Sequence, residues 1–95
     1  MAIRLVVSFQ AAPGKRDDFV RAFEPLRQIT VAENGCEQYE LFTSTEDADR
    51  VVLLERWTNA ELLEKHMEGM RARGGSPTSA FVAEGSRPGF ERYEV

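Results

Sequence analysis

Ninety-five residues are the length of one domain, so a two-domain chain is excluded. The composition is 42% hydrophobic and 29% charged, with seven Gly and four Pro scattered along it, which excludes disorder and collagen-like repeats. Twelve Lys and Arg against sixteen Asp and Glu leave a formal charge of −4, a balance that repels polyphosphate and removes nucleic acid from the expected partners.

A chain this short buries only about 60–65% of the surface its unfolded form exposes, so a second copy is a natural supplement to a thin core. The single cysteine, Cys36, makes neither an intrachain disulfide nor a Cys-based metal site. The N-terminal apolar stretch is too short for a signal peptide or a membrane span. A cytoplasmic protein without membrane association is the expectation.

Ile3, Leu5, Val7 and Phe9 alternate with Arg4, Val6, Ser8 and Gln10, the period of a strand with one apolar face. Ala12-Pro13-Gly14 ends it. Asp17 and Asp18 suit the positive end of a helix that begins near Gly14. Phe19, Ala22, Phe23, Leu26 and Ile29 or Thr30 form its apolar stripe, and Pro25 inside it predicts a kink or a poorly formed turn near Ala22. Asn34-Gly35 supplies the left-handed stop. Cys36 to Ser44 is the second strand, followed by a polar turn at Glu46-Asp47-Ala48-Asp49. The third strand, Arg50 to Trp57, contains Val51-Val52-Leu53-Leu54, whose lack of alternation predicts cover on both faces.

Thr58-Asn59-Ala60-Glu61 fits a capping box and opens a helix with Leu62, Leu63, His66, Met67 and Met70 on one side, ending at Arg73-Gly74-Gly75. Ser76-Pro77 caps a short helical segment ending near Gly85, and Phe90 to Val95 reads as a closing strand. The order predicts an α+β, ferredoxin-like split β-α-β fold with a four-stranded antiparallel sheet and helices on one face. A homodimer through the bare sheet face would cover the other side, burying one patch twice.

His66 is the only histidine and shares its helix face with leucines and methionines. It has two readings: a core imidazole bonded to a backbone carbonyl, or a base able to take a proton from a phenol or enol near neutral pH. One His without a Cys cluster is a poor metal site, and none is expected. Trp57 is either core or a flat wall for an aromatic ligand. Tyr39 and Ser8 lie on strands and are candidates for placing a hydroxyl in the cleft. Arg71, followed by Arg73 and Gly74-Gly75, either grips an acidic substrate or is a solvated helix end. Gly74-Gly75 is not a phosphate loop, and no dinucleotide or flavin fingerprint exists, so any oxygenase chemistry draws its electrons from the substrate.

Pro13-Gly14-Lys15, Gly35-Cys36 with Tyr39-Glu40, and Glu55-Arg56-Trp57 followed by His66 together resemble the antibiotic biosynthesis monooxygenase domain family. The resemblance spans roughly Ile3 to Met70. It implies a dimeric α+β barrel and a cofactor-independent monooxygenase acting on a quinol or polyketide-type aromatic with dioxygen, His66 serving as base. Departures from characterised branches are specific. No Asn precedes Asn34, where the haem-degrading members carry one in the first strand. Leu53 and Leu63 stand where the anthrone-oxygenase type has Asn and Tyr, and Arg71 stands where quinol-oxygenase-like members often have a second His. Two other functions remain on the sequence alone: a noncatalytic dimer that binds a small aromatic ligand, and an isomerase of a small hydroxyketone.

Overall fold

A computed structural model describes residues 1–95. Strand β1 (Ile3–Gln10) leads to helix α1 (Arg16–Val31), then β2 (Cys36–Thr43), β3 (Arg50–Trp57), helix α2 (Ala60–Ala72), a 3-10 turn at Pro77–Phe81, and β4 (Gly89–Glu94). The sheet order is β2-β3-β1-β4, antiparallel throughout. This is the ferredoxin-like α+β arrangement that the element order predicts.

Registers fix which residues share a face. Leu5 lies opposite Glu55, which lies opposite Tyr39, and Val7 opposite Leu53, which lies opposite Leu41. These side chains point toward the helices, and Ile3, Leu5, Val7, Phe23, Leu26, Tyr39, Leu53, Trp57 and Leu63 form the main core. Full burial of each large apolar side chain contributes about 1.5–3 kcal/mol. Ala11, Phe19 and Val51 form a smaller cluster at the far end.

The other sheet face carries Val6, Val52, Leu54 and the exposed Phe42 as an apolar band, flanked by Arg4, Gln38, Glu40 and Arg56. Val52 and Leu54 are half-buried there, so the unalternating run in β3 does have apolar residues on both sides. Every residue of β4 is exposed.

Three local expectations need correction. α1 runs unbroken through Pro25, because that residue is exposed and the carbonyl left without its partner is free to bond water. Of the alternatives at the end of its stripe, Thr30 is buried and Ile29 is 52% exposed. The cap of α2 is Asn59, whose Oδ1 accepts from the Leu62 amide at 2.9 Å; the Thr58 hydroxyl instead donates to Glu37, so the Thr58–Glu61 capping box does not form. The segment capped by Ser76 ends at Phe81 rather than near Gly85.

Gly35 joins the two halves. Its φ is +89°, and a Cβ there would lie 2.5 Å from Leu62 Cδ1. Only a glycine lets the turn pass this close to α2, and its carbonyl accepts from the Thr58 amide at 2.9 Å.

Candidate active site

His66 projects from α2 toward the sheet with 3% of its surface exposed. Its partner is a carboxylate rather than a backbone carbonyl: Nδ1 lies 2.9 Å from Glu33 Oε2, in the turn that follows α1. An ionised carboxylate only accepts, so Nδ1 carries the proton and neutral His66 keeps its lone pair on Nε2. That atom faces Glu55 Oε1 at 3.9 Å, too far for a hydrogen bond.

Glu55 is 5% exposed although it is charged by type. Its position follows from strand parity, since Val51, Leu53, Glu55 and Trp57 alternate onto the helix side of β3. Oε1 accepts from Trp57 Nε1 at 2.9 Å. Burial pushes the Glu55 carboxyl above the usual range, while the Trp57 bond and the nearby His66 pull the other way. The indole is fully buried and lies against the imidazole, ring centres 4.6 Å apart. Trp57 thus holds Glu55 and backs His66.

In front of this cluster lies a cavity of about 270 Å³. Phe19, Phe23 and Leu26 of α1 form one wall, Val7, Phe9 and Leu53 the floor, and Met67 and Met70 of α2 the other wall. Tyr39, Glu55 and His66 supply its inner polar groups, while Arg71, Ser76, Thr78, Pro88 and Phe90 also line it. A void of about 150 Å³ holds benzene, so this one accommodates a larger, fused-ring system. Apolar walls with a few convergent polar groups are the usual make-up of a small-molecule site. A larger groove of about 580 Å³ runs along α1 and edge strand β2. It contains neither His66 nor Glu55, and its charged Glu24 and Arg27 satisfy each other at 2.7 Å, so the smaller cavity is where acid–base chemistry is available.

Tyr39 lies in the cavity wall, stacked on Phe23 with ring centres 5.4 Å apart and edge-on to His66 at 5.6 Å. Burial, then the charge of Glu55, raises its phenol above the ordinary value, which makes it a neutral donor. The phenol is directed at Thr30, yet the pair falls outside hydrogen-bond geometry and Thr30 Oγ1 stays unpartnered.

The structure therefore gathers His66, Tyr39 and Arg71 around one cavity. Arg71 is at the surface, bonded to Glu64 at 2.9 Å with its side chain 63% exposed. Trp57, expected as a wall for a ligand, does not line the cavity; its place on the strand buries it behind His66. Ser8 does not line it either, because β1 parity turns it to the opposite sheet face, across from Gly89. Glu33 and Glu55 were missed as site residues. For Glu55 the sequence did carry a signal, a carboxylate in phase with three buried apolar residues; for Glu33, in a turn, it carried none. Nowhere do three or more His, Cys, Asp or Glu side chains converge as a metal-binding group, and no helix is long and apolar enough to cross a membrane.

Comparison with known proteins places the chain in a family. Residues 2–73 match the family model for antibiotic biosynthesis monooxygenase. "Putative monooxygenase YcnE" of Bacillus subtilis (strain 168) is 31% identical over 83 residues, covering 87% of this chain and 81% of that one. Among solved structures, a conserved protein from Methanosarcina mazei Go1 superposes with a TM-score of 0.86 at 24% identity, covering 98% of this chain and 91% of that one. A "Putative antibiotic biosynthesis monooxygenase from Nitrosomonas europaea" gives 0.83 at 17% identity, covering 97% and 88%. Both structures share the fold described above, and the extent of the family match makes this chain a member of the antibiotic biosynthesis monooxygenase family.

Proposed function

We propose that this protein is a monooxygenase that oxidises an electron-rich aromatic, a quinol or polyketide-type phenol, with dioxygen and without a bound cofactor. The observation that carries this reading is a buried imidazole whose Nδ1 is held by Glu33 and whose Nε2 opens on an apolar cavity of fused-ring size. His66 takes a proton from the substrate hydroxyl. The resulting anion, surrounded by phenylalanine, leucine and methionine side chains rather than water, donates electrons to dioxygen. One oxygen atom stays on the ring carbon, and the other leaves as water with two hydrogens from the substrate, so no further reductant is required. The family membership and the naming of a 31% identical relative as a monooxygenase support the same reading. Tyr39 donates a hydrogen bond to the bound ring and Arg71 selects for acidic substituents at the cavity mouth, while Trp57 serves as positioning residue behind His66.

Oxygen uptake with a panel of quinols, wild type against His66→Ala, tests this. The expected result is uptake with at least one quinol and a fall of about 10²-fold or more in the variant, the usual worth of a general base. Absence of uptake with every quinol, or equal rates, overturns it. Turnover that continues without oxygen would instead indicate isomerisation, and raised thermal stability with a phenol but no turnover would indicate a binding protein.

The apolar band of Val6, Val52, Leu54 and Phe42 supports a homodimer through the sheet face. Light scattering at micromolar concentration is expected to give at least twice the 10.7 kDa chain mass, and a clean monomer contradicts it.

A further inference from the structure

The proposed reaction moves more protons than one imidazole handles at a time. When the ring-carbon hydroperoxide collapses to a carbonyl, the C–H and O–O bonds break together. The departing oxygen leaves as water only if it gains a proton as the carbon loses one. A base and an acid must therefore act on the same adduct in the same step.

Building on the oxygenase reading, we infer that Glu55 is that acid: its Oε2–H donates to the departing oxygen while His66 Nε2 takes the proton from carbon. Oε1 is engaged by Trp57 Nε1 at 2.9 Å, which fixes the carboxyl plane and leaves Oε2 to carry the proton. Neither Oε2 nor Nε2 makes a hydrogen bond within the chain, yet Thr30 Oγ1 is the one side-chain polar atom that is both sealed from solvent and unpartnered. Oε2 and Nε2 therefore touch open space, and the cavity is the space their residues line. Nε2 lies 3.9 Å from Oε1 of the same carboxyl, too far for a direct bond, so imidazole and carboxyl stand side by side at one end of the cavity.

The charged and titratable groups facing Glu55 are His66 from α2, Glu33 after α1, and Tyr39 and Cys36 from β2. Arg92 shares its row two strands away but is exposed. No guanidinium or ammonium bonds the carboxyl, and burial raises its pKa, which favours the protonated form. In the step itself the C–H electron pair becomes the second bond of the carbonyl, and the O–O pair stays on the distal oxygen, which takes the Glu55 proton and leaves as water. His66 is left protonated and Glu55 ionised, and one proton passed back across the gap through water restores both.

Glu55→Gln tests this, because the amide keeps an acceptor for Trp57 and nearly the same volume but has no acid proton. With a quinol that the wild type consumes, the variant is expected to bind substrate and oxygen, form product about 10²-fold more slowly, and release an organic hydroperoxide detectable by ferrous oxidation. The alkaline limb of the wild-type pH–rate profile should vanish. If Glu55→Gln fails to fold, Glu55→Asp replaces it, since drawing the acid back from the cavity also releases hydroperoxide. Unchanged product rate with no hydroperoxide in the folded variant overturns the inference. Absence of oxygen uptake by the wild type overturns the oxygenase reading, and the role of Glu55 falls with it.

Discussion

Replacing Trp57 by Phe separates a structural indole from a ligand-binding one. Trp57 is fully buried, and its Nε1 is the one donor on Glu55 Oε1, at 2.9 Å. Losing a hydrogen bond to a buried carboxyl costs about 1–3 kcal/mol, because the acceptor stays desolvated. The smaller ring leaves a void of a few tens of Å³, which at roughly 24 cal/mol per Å³ adds about 1 kcal/mol. The sum, about 2–4 kcal/mol, is a fall of roughly 10 °C or more in Tm for a domain of this size. Far-UV circular dichroism under urea is the assay, since the variant lacks the chain's only indole. Glu55→Met removes the acceptor while keeping an apolar side chain of similar length. In that background Trp57→Phe should cost only the void, and the two changes should couple by about 1 kcal/mol or more. Additivity within about 0.3–0.5 kcal/mol would refute the claim that the indole N–H holds Glu55.

Glu55→Gln also changes the pH dependence of stability. The folded-state pKa of Glu55 lies above its ordinary value of 4.5, so its contribution is fully present below that value and is lost as pH rises through the folded pKa. Urea midpoints should show wild type falling relative to Glu55→Gln from about pH 4.5 upward; a constant difference contradicts this. Gly35→Ala combines a φ of +89° with a contact of 2.5 Å to Leu62 Cδ1, and should destabilise by about 2–4 kcal/mol in urea. Adding Leu62→Ala should recover only the part of the clash due to Cγ and Cδ1, since Leu62 Cβ at 2.8 Å remains, and none of the part due to backbone strain. Burial first, then the charges of Glu55 and Glu33, pushes the Cys36 thiol up to about 11; alkylation by iodoacetamide at pH 7.5 should be slow in the native state and fast in urea. Equal rates would contradict that environment.

Most of the fold was legible because the residues that form it are periodic. The alternation of Ile3, Leu5 and Val7 and the stripe of Phe19, Phe23 and Leu26 are local patterns with local causes, whereas α1 stops at a right-handed cap on Ala32 rather than at the left-handed Gly35. The errors were local competitions. Thr58 and Asn59 both suit a helix cap, and Asn59 wins because Glu37, nineteen positions before Arg56 and bonded to it, also engages the Thr58 hydroxyl. Pro25 predicts a kink or a poorly formed turn near Ala22, and its exposure to solvent, which decides the outcome, leaves no mark in the local sequence.

The site was legible only in part. His66 was singled out as the lone imidazole on an apolar face, but its partner Glu33 is 33 positions away, and such a pairing leaves no trace in spacing. Ser8 and Tyr39 could not be told apart by face until the register placed Tyr39 beside Glu55 and Ser8 beside Gly89. Trp57 was correctly near His66 yet on its far side, a distinction set by whether the cavity opens before or behind the imidazole.

The chemistry of the site turns on which nitrogen of His66 is bare, and a protein with one histidine allows that to be read directly. Long-range ¹H–¹⁵N correlation of the imidazole above its titration should show the proton on Nδ1 and a bare Nε2 that shifts when a phenol is added. In Glu33→Gln, whose amide can donate as well as accept, the Nδ1–H preference should weaken. A neutral wild-type imidazole protonated on Nε2, or an Nε2 signal indifferent to phenol, would contradict the role of His66 as the base.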